Sequence, residues 1–113
     1  MIDHVRPANL ADWLQSLPAG TNPVVLDVRE PWELQTASVT ANGFALVAIP
    51  MGEITRRVAE LDPAQPVACL CHHGARSLRV AGFLVQSGFD QVANISGGID
   101  AWSREVDARV PLY

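Results

Sequence analysis

The chain of 113 residues contains no lysine, and its eight basic residues are all arginines. Twelve acidic residues outnumber them, which gives a net charge of −4, and no basic run occurs. Because nucleic-acid binding depends on clustered positive charge, this composition argues against a nucleic-acid partner. No apolar run approaches the roughly 18 residues that cross a bilayer, which argues against membrane insertion.

Cysteine is scarce, and leader-like features are absent from the opening "MIDHVRPANL". In a strand, Cys69 and Cys71 would lie about 6.6 Å apart on one face. A disulfide between them would need large backbone distortion. We therefore expect reduced thiols in a cytoplasmic protein, without a disulfide framework. At this length, we expect one domain spanning residues 1–113.

Short apolar runs alternate along the chain with segments of helical periodicity. The runs typical of strands lie at residues 23–28, 44–50, 66–71 and 90–96, after an extended start at residues 3–5. Helices are predicted at residues 10–17, 30–37, 52–61, 75–88 and 97–106. This alternation predicts an α/β fold with helices on both faces of a parallel sheet. Over residues 38–47 the pattern does not separate loop from strand. The apolar residues expected in the core or at an interface are Leu10, Trp13, Trp32, Leu84 and Trp102.

The segment "CLCHHGARS" (69–77) carries most of the chemically active residue types of the chain. Cys71 ends a predicted buried strand, and ligands bind at the carboxyl ends of such strands. The loop then enters a helix, whose first N–H groups are unpaired and carry partial positive charge. Gly74 permits a left-handed turn that curls amides around one point, and Arg76 adds a permanent charge. These features favour a thiolate at Cys71 and predict an anion-binding loop with a nucleophile at its base.

Other interpretations of this segment fit less well. A zinc site would need Cys69, Cys71, His72 and His73 to converge tetrahedrally, which adjacent residues rarely do, so we expect no metal. Cys69 is interpreted as a buried structural cysteine. His72 and His73 are expected in the wall of the loop, in contact with substrate or solvent, and not as general bases.

Four segments in this order resemble the rhodanese (thiosulfate sulfurtransferase) family. They are "VVLDVREPWEL" (24–34), "AIPMGEI" (48–54), "CHHGARS" (71–77) and "SGFDQVANISGGIDAW" (87–102). The resemblance implies a stand-alone, single-domain rhodanese-like fold with a five-stranded parallel sheet. One region departs from the family, because "TASVTANGFALVAIP" (36–50) lacks the usual Gly-His-Ile-like motif. We therefore expect this loop to differ, and we assign no histidine to it.

By this resemblance, Cys71 is the nucleophile of a sulfurtransferase that needs no cofactor. It would take sulfane sulfur from thiosulfate or a persulfide donor and pass it to a thiophilic acceptor: cyanide in an assay, a thiol or carrier protein in a cell. Arg76 would either bind the donor or brace the loop. The loop residues expected to bind the anionic donor are His72, His73, Gly74, Ala75, Arg76 and Ser77. The residues expected beside them, as an ion-pair support or in a catalytic role, are Asp27, Arg29 and Glu33.

Two other functions remain open at this point. Dual-specificity phosphatases of the same fold class place one residue more between Cys and Arg than the four found between Cys71 and Arg76. The shorter loop makes a smaller ring of amides, which suits a sulfur atom better than a phosphoryl group. A sulfur-relay protein or a non-catalytic binding module would keep the fold. A module is expected to lose the cysteine, whereas this chain retains Cys71, Gly74 and Arg76 together.

Overall fold

The computed structural model describes residues 1–113, in which five strands alternate with five α-helices and confirm the α/β prediction. The strands are β1 (Ile2–Val5), β2 (Val24–Asp27), β3 (Ala45–Ala48), β4 (Val67–Leu70) and β5 (Val92–Ile95). The helices are α1 (Leu10–Ser16), α2 (Pro31–Thr36), α3 (Ile54–Arg57), α4 (Ala75–Gln86) and α5 (Gly98–Glu105). None of these helices has the length and apolar character that a membrane span requires.

The sheet is parallel throughout, as expected, with the strand order β1-β5-β4-β2-β3. Every residue of β2, β4 and β5 is buried, which explains why these strands appear in the sequence as continuous apolar runs. The edge strand β3 is mostly exposed. The carboxyl ends of β2, β4 and β5 lie side by side, at the edge of the sheet where α/β proteins bind ligands.

An apolar cluster lies on each face of the sheet, because successive strand residues point to opposite sides. Leu26 of β2 belongs to the cluster that contains Leu84 of α4. Its neighbour Val25 belongs to the cluster that contains Trp102 of α5. Helices therefore cover both faces, and the sheet is held rigidly between two packed layers.

The predicted core residues are buried with one exception. The exception is Trp32, which is 62% exposed, so its placement in the core is wrong and an interface role stays a prediction. Its helix, α2, is short and lies against the site through other side chains. The buried members of the predicted set are Leu10, Trp13, Leu84 and Trp102.

The predicted helix at residues 52–61 is only partly α-helical. The α-helix covers Ile54–Arg57, and 3₁₀ turns at Met51–Glu53 and Val58–Glu60 precede and follow it. Such 3₁₀ turns are common at the ends of α-helices. Ile54, the first residue of α3, is buried in the core. Over residues 38–47, where the pattern was ambiguous, the strand begins at Ala45.

Candidate active site

The loop after β4 reverses the chain sharply before α4 begins. Gly74 lies immediately before α4 with a φ of +108°, a conformation that residues with side chains rarely adopt. A Cβ atom at this position would also lie 3.2 Å from the backbone nitrogen of Gly97. The loop can therefore close over Cys71 only with glycine at position 74.

The Cys71 sulfur lies at the base of this loop, and the residue is 1% exposed. The N–H group of Gly74 donates a hydrogen bond to Sγ over 3.0 Å, and Ser77 Oγ lies 3.2 Å from the same atom. The Ser77 hydroxyl donates to Oδ1 of Asn94 over 2.5 Å, and Nδ2 of Asn94 donates to the Gly74 carbonyl over 3.2 Å. The sulfur therefore sits on a buried polar network that ties α4, the loop and β5 together.

The first turn of α5 holds the carbonyl groups of the loop. The N–H of Ile99 donates to the Cys71 carbonyl over 2.8 Å, and the N–H of Asp100 donates to the His72 carbonyl over 3.1 Å. Gly98 makes this approach possible, because a Cβ there would overlap the carbonyl oxygens of both Cys71 and His72. Two loop carbonyls are bound on this side, and on the other side the loop presents the Gly74 N–H to the sulfur.

Arg76 is paired with Glu33 of α2. Its two terminal nitrogens donate to the two carboxylate oxygens over 2.6 and 2.8 Å. This pairing with Arg76 lowers the pKa of the Glu33 carboxyl to about 2, against the opposing effect of burial. The Glu30 backbone N–H donates to Glu33 as well, over 3.0 Å. In this structure Arg76 therefore ties the start of α4 to α2, and its role, in bracing the loop or in binding the donor, stays a prediction.

Asp27 and Arg29 form a buried ion pair beneath the site. Arg29 is fully buried, and its guanidinium donates to both oxygens of Asp27 over 2.9 and 2.8 Å. It also donates to the carbonyl of Ala37 over 2.8 Å and to the Tyr113 hydroxyl over 2.9 Å. These hydrogen bonds join the pair to backbone carbonyls and to Tyr113, and its role, as ion-pair support or in catalysis, stays a prediction.

Tyr113 covers the outer side of the loop. Its ring stacks on His72 with centroids 3.9 Å apart and planes inclined by 3°, and its hydroxyl donates to Glu33 over 2.8 Å. The His73 ring lies 3.9 Å from that of His72 and is exposed. Burial, with a smaller contribution from His73, lowers the pKa of His72, which favours a neutral imidazole. Both histidines thus line the loop wall.

The structure separates the predicted site residues into two groups, whose chemical roles stay predictions. Gly74 and Ser77 contact the Cys71 sulfur. Ala75 is exposed and makes no hydrogen bond to that sulfur. Cys69 is fully buried in the core, as expected, and burial raises the pKa of its thiol to about 12.

Three residues that hold the loop were not singled out from the sequence. Asn94 had a usable signal, because a polar residue in the apolar run at residues 90–96 needs a buried partner. Gly98 belongs to a glycine pair ahead of a helix, a pattern that indicates close backbone approach. Tyr113 had no signal, because only the folded chain brings it to the loop.

Comparison with known proteins agrees with this fold. A family model described as the rhodanese-like domain matches residues 10–105. The chain is 38% identical over 94 residues to the Rhodanese-like/PpiC domain-containing protein 12, chloroplastic, of Arabidopsis thaliana, an alignment that covers 79% of this chain. It spans only 30% of the length of that relative. The chain belongs to the rhodanese-like domain family.

Two solved structures extend the comparison over nearly the whole chain. The rhodanese-related protein of Thermoplasma volcanium is 31% identical with a TM-score of 0.76, over 98% of this chain and 99% of that one. The polysulfide-sulfur transferase homodimer of Wolinella succinogenes is 26% identical with a TM-score of 0.68, over 92% of this chain and 74% of that one. One of these structural neighbours is therefore a sulfur transferase.

Proposed function

We propose that the chain is a sulfurtransferase that carries sulfane sulfur on Cys71. The observation that supports this most directly is the environment of Sγ, which accepts the Gly74 N–H and adjoins the Ser77 hydroxyl at the start of α4. Hydrogen-bond donors and a helix N-terminus stabilise a thiolate, and the same groups stabilise a bound anionic persulfide. The likeness to the Wolinella polysulfide-sulfur transferase is in keeping with this chemistry.

The reaction divides into two displacements at sulfur. The Cys71 thiolate attacks the outer sulfur of thiosulfate, so that a new S–S bond forms, the S–S bond of thiosulfate breaks, and sulfite leaves with the electron pair. The charge is conserved, because a thiolate and thiosulfate become an anionic persulfide and sulfite. An acceptor such as cyanide or a thiolate then attacks the outer sulfur and releases the Cys71 thiolate. Neither displacement requires a general base once the thiol is ionised.

The burial of Cys71 limits how reactants approach. Sγ belongs to a residue that is 1% exposed, so a donor must present a small sulfur atom to the mouth of the loop. A persulfide extends the side chain by an S–S bond of about 2.05 Å, which carries the transferable sulfur outward. A low-molecular-weight thiol or a sulfur-acceptor protein can then meet that atom without entering the loop.

The position of Arg76 disfavours a phosphatase. Phosphoryl transfer needs positive groups directed at the oxygens of the phosphate. Both terminal nitrogens of Arg76 are already bound to the Glu33 carboxylate, and Tyr113 holds the same carboxylate from its other side. The guanidinium is therefore directed at α2 and not at the centre of the loop.

The proposal is tested by steady-state turnover with thiosulfate and cyanide, in parallel with sulfur loading from a low-molecular-weight persulfide. Cys71→Ser removes the nucleophile, and Cys69→Ser is the matched control with a second buried thiol. We expect turnover in the wild type and the control and none in Cys71→Ser. Ready loading from the persulfide with poor thiosulfate turnover would identify a sulfur-relay protein. If neither donor loads Cys71, the sulfurtransferase proposal fails.

A further inference from the structure

A cluster of metal-ligating side chains lies beside the candidate nucleophile, and none of its members forms or breaks a bond in the two displacements. It consists of His72, His73 and Asp100, whose potential ligand atoms all lie within 4.8 Å of one another. Neither cysteine belongs to this cluster. It therefore differs from a zinc set of Cys69, Cys71, His72 and His73, because its third member comes from α5.

Backbone contacts bring the three residues together. His72 and His73 are consecutive in the loop, and the N–H of Asp100 donates to the His72 carbonyl over 3.1 Å. The close approach permitted by Gly98 fixes this first turn of α5 against the loop. The stack on Tyr113 sets the plane of the His72 ring. The ligands are thus held by the same contacts that hold the loop.

The two imidazole rings must move apart to share a ligand. Their planes are inclined by 58° and their centroids lie 3.9 Å apart, whereas two imidazoles on one tetrahedral ion hold their centroids roughly 5 Å apart, so the exposed His73 side chain turns outward on binding. Nε2 of His72 is buried and has no hydrogen-bond partner in the protein, an arrangement that is costly for a polar atom and uncommon in folded chains. His73 is exposed and Asp100 half-buried, so both can adjust.

The donor set defines the class of metal. Two imidazoles and one carboxylate form a common ligand set for Zn²⁺, with the fourth tetrahedral position open. Ligand atoms at about 2.0–2.2 Å from such an ion would lie roughly 3.4 Å from each other, so their separations must shrink by up to about 1.4 Å. Arg104 donates to Oδ2 of Asp100 over 3.1 Å and opposes a cation. That ion pair is exposed, and such pairs contribute little.

We propose that His72, His73 and Asp100 bind one divalent transition-metal ion of the zinc type. Since His72 directly follows Cys71, the bound ion fixes the loop that carries the nucleophile and slows sulfur loading. This second consequence rests on the proposed sulfurtransferase function, whereas metal binding by the three side chains does not.

The binding test is a calorimetric titration of the full chain with Zn²⁺, repeated with Cys71→Ser. We expect one ion per chain in both proteins, because the thiol is not a ligand. Histidine side-chain NMR during the titration should show shifts of the His72 and His73 signals and none for His4, the only other histidine. Loss of binding in Cys71→Ser would assign the metal to the thiolate and overturn the proposal.

Ligand variants decide which side chains hold the ion. Changes to residues that only support metal ligands already lower metal affinity by about tenfold or more. His73→Ala and Asp100→Ala remove ligands themselves, so each should weaken Zn²⁺ binding by at least about tenfold. His4→Ala is the matched control and should bind like the wild type. Equal binding by His73→Ala and the wild type would contradict the site.

The consequence for sulfur chemistry needs a separate measurement. Stoichiometric Zn²⁺ should slow persulfide formation on Cys71 in the wild type and leave His73→Ala unaffected. If Zn²⁺ binds but changes the rate of persulfide formation equally in the wild type and in His73→Ala, the proposed effect of the metal on sulfur loading is wrong. If no persulfide forms with or without Zn²⁺, the proposed function fails, while the titration still decides the metal site.

Discussion

At the scale of single residues, Glu33 gives the chain a measurable pH dependence. Arg76 lowers the pKa of this carboxyl from an ordinary value of 4.5 to about 2. Because the pKa is lower in the folded state, the pair stabilises the fold fully above about pH 4.5, and this contribution is lost as the pH falls towards about 2. The urea midpoint of the wild type should therefore fall more steeply across this window than that of Glu33→Gln. Equal slopes in the two proteins would contradict the assignment.

Ser77 connects the nucleophile to the buried amide of Asn94. Ser77→Ala removes the donor of the Asn94 Oδ1 hydrogen bond, which should lower the free energy of unfolding by about 1–3 kcal/mol. It also removes the hydroxyl that lies 3.2 Å from the Cys71 sulfur. Because this hydroxyl has a single proton, it assists the thiolate only by turning from Asn94 to the sulfur, and its loss should then slow persulfide formation. Urea unfolding and timed sulfur loading measure the two effects.

Ser87→Ala is the control for this variant. Ser87 is exposed and donates only to the Phe83 carbonyl at the end of α4, so its loss should change stability by no more than about 0.5 kcal/mol. Loading by Ser77→Ala at the wild-type rate would show that the hydroxyl does not assist the sulfur.

At the scale of elements, the contact between α5 and the loop depends on Gly98. A methyl group there would overlap the carbonyl oxygens of Cys71 and His72 and force α5 away from the loop. We expect Gly98→Ala to lower stability by at least about 1 kcal/mol, since the residue also has a φ of +59°, and to reduce sulfur loading. Thermal unfolding and sulfur loading test this directly.

Gly82 provides the matched glycine control. It lies within α4, where an added methyl group meets nothing within 4 Å, and its φ is not positive. Gly82→Ala should therefore stabilise the chain by about 0.4–1 kcal/mol and leave sulfur loading unchanged. A similar loss of loading in both variants would mean that the effect of Gly98→Ala is not specific to the loop.

The elements themselves were largely predictable from the sequence. The fully buried strands β2 and β4 appear as apolar runs bounded by Pro and polar residues, and local pattern suffices to find them. The predicted helix at residues 52–61 was less accurate, because a 3₁₀ turn and an α-helix can place the same apolar residues on the core side. The core alternative for Trp32 was wrong, because an apolar residue type alone does not tell which face of a short helix is covered.

At the scale of the whole molecule, the site depends on contacts that no local pattern contains. The order of Cys71, Gly74 and Arg76 in one short loop was visible because these residues are adjacent. The sequence placed Glu33 near the loop only as one of three residues expected beside it. The sequence could not identify Glu33 as the partner of Arg76, because the two residues are 43 positions apart. Tyr113 lies 80 residues from Glu33, and sequence separation of this size hides a contact completely.

Tyr113 joins the end of the described chain to both sides of the site. Tyr113→Phe should keep the stack on His72 but lose the hydrogen bonds with Arg29 and Glu33, at a cost of about 0.5–1.5 kcal/mol. Tyr113→Ala should lose the stack on His72 as well as these hydrogen bonds. We therefore expect it to be less stable and to load sulfur more slowly than Tyr113→Phe. Chemical denaturation and loading rates measure the difference, and identical behaviour of the two variants would contradict a role for the stack.

The most direct measurement of the central claim is the intact mass of the protein after brief treatment with thiosulfate. The account predicts that the wild type and Cys69→Ser each gain the mass of one sulfur atom. It predicts further that cyanide removes this sulfur and that Cys71→Ser gains none. A gain in Cys71→Ser equal to that of the wild type, or no gain from thiosulfate or a persulfide donor in any of the three proteins, would contradict it.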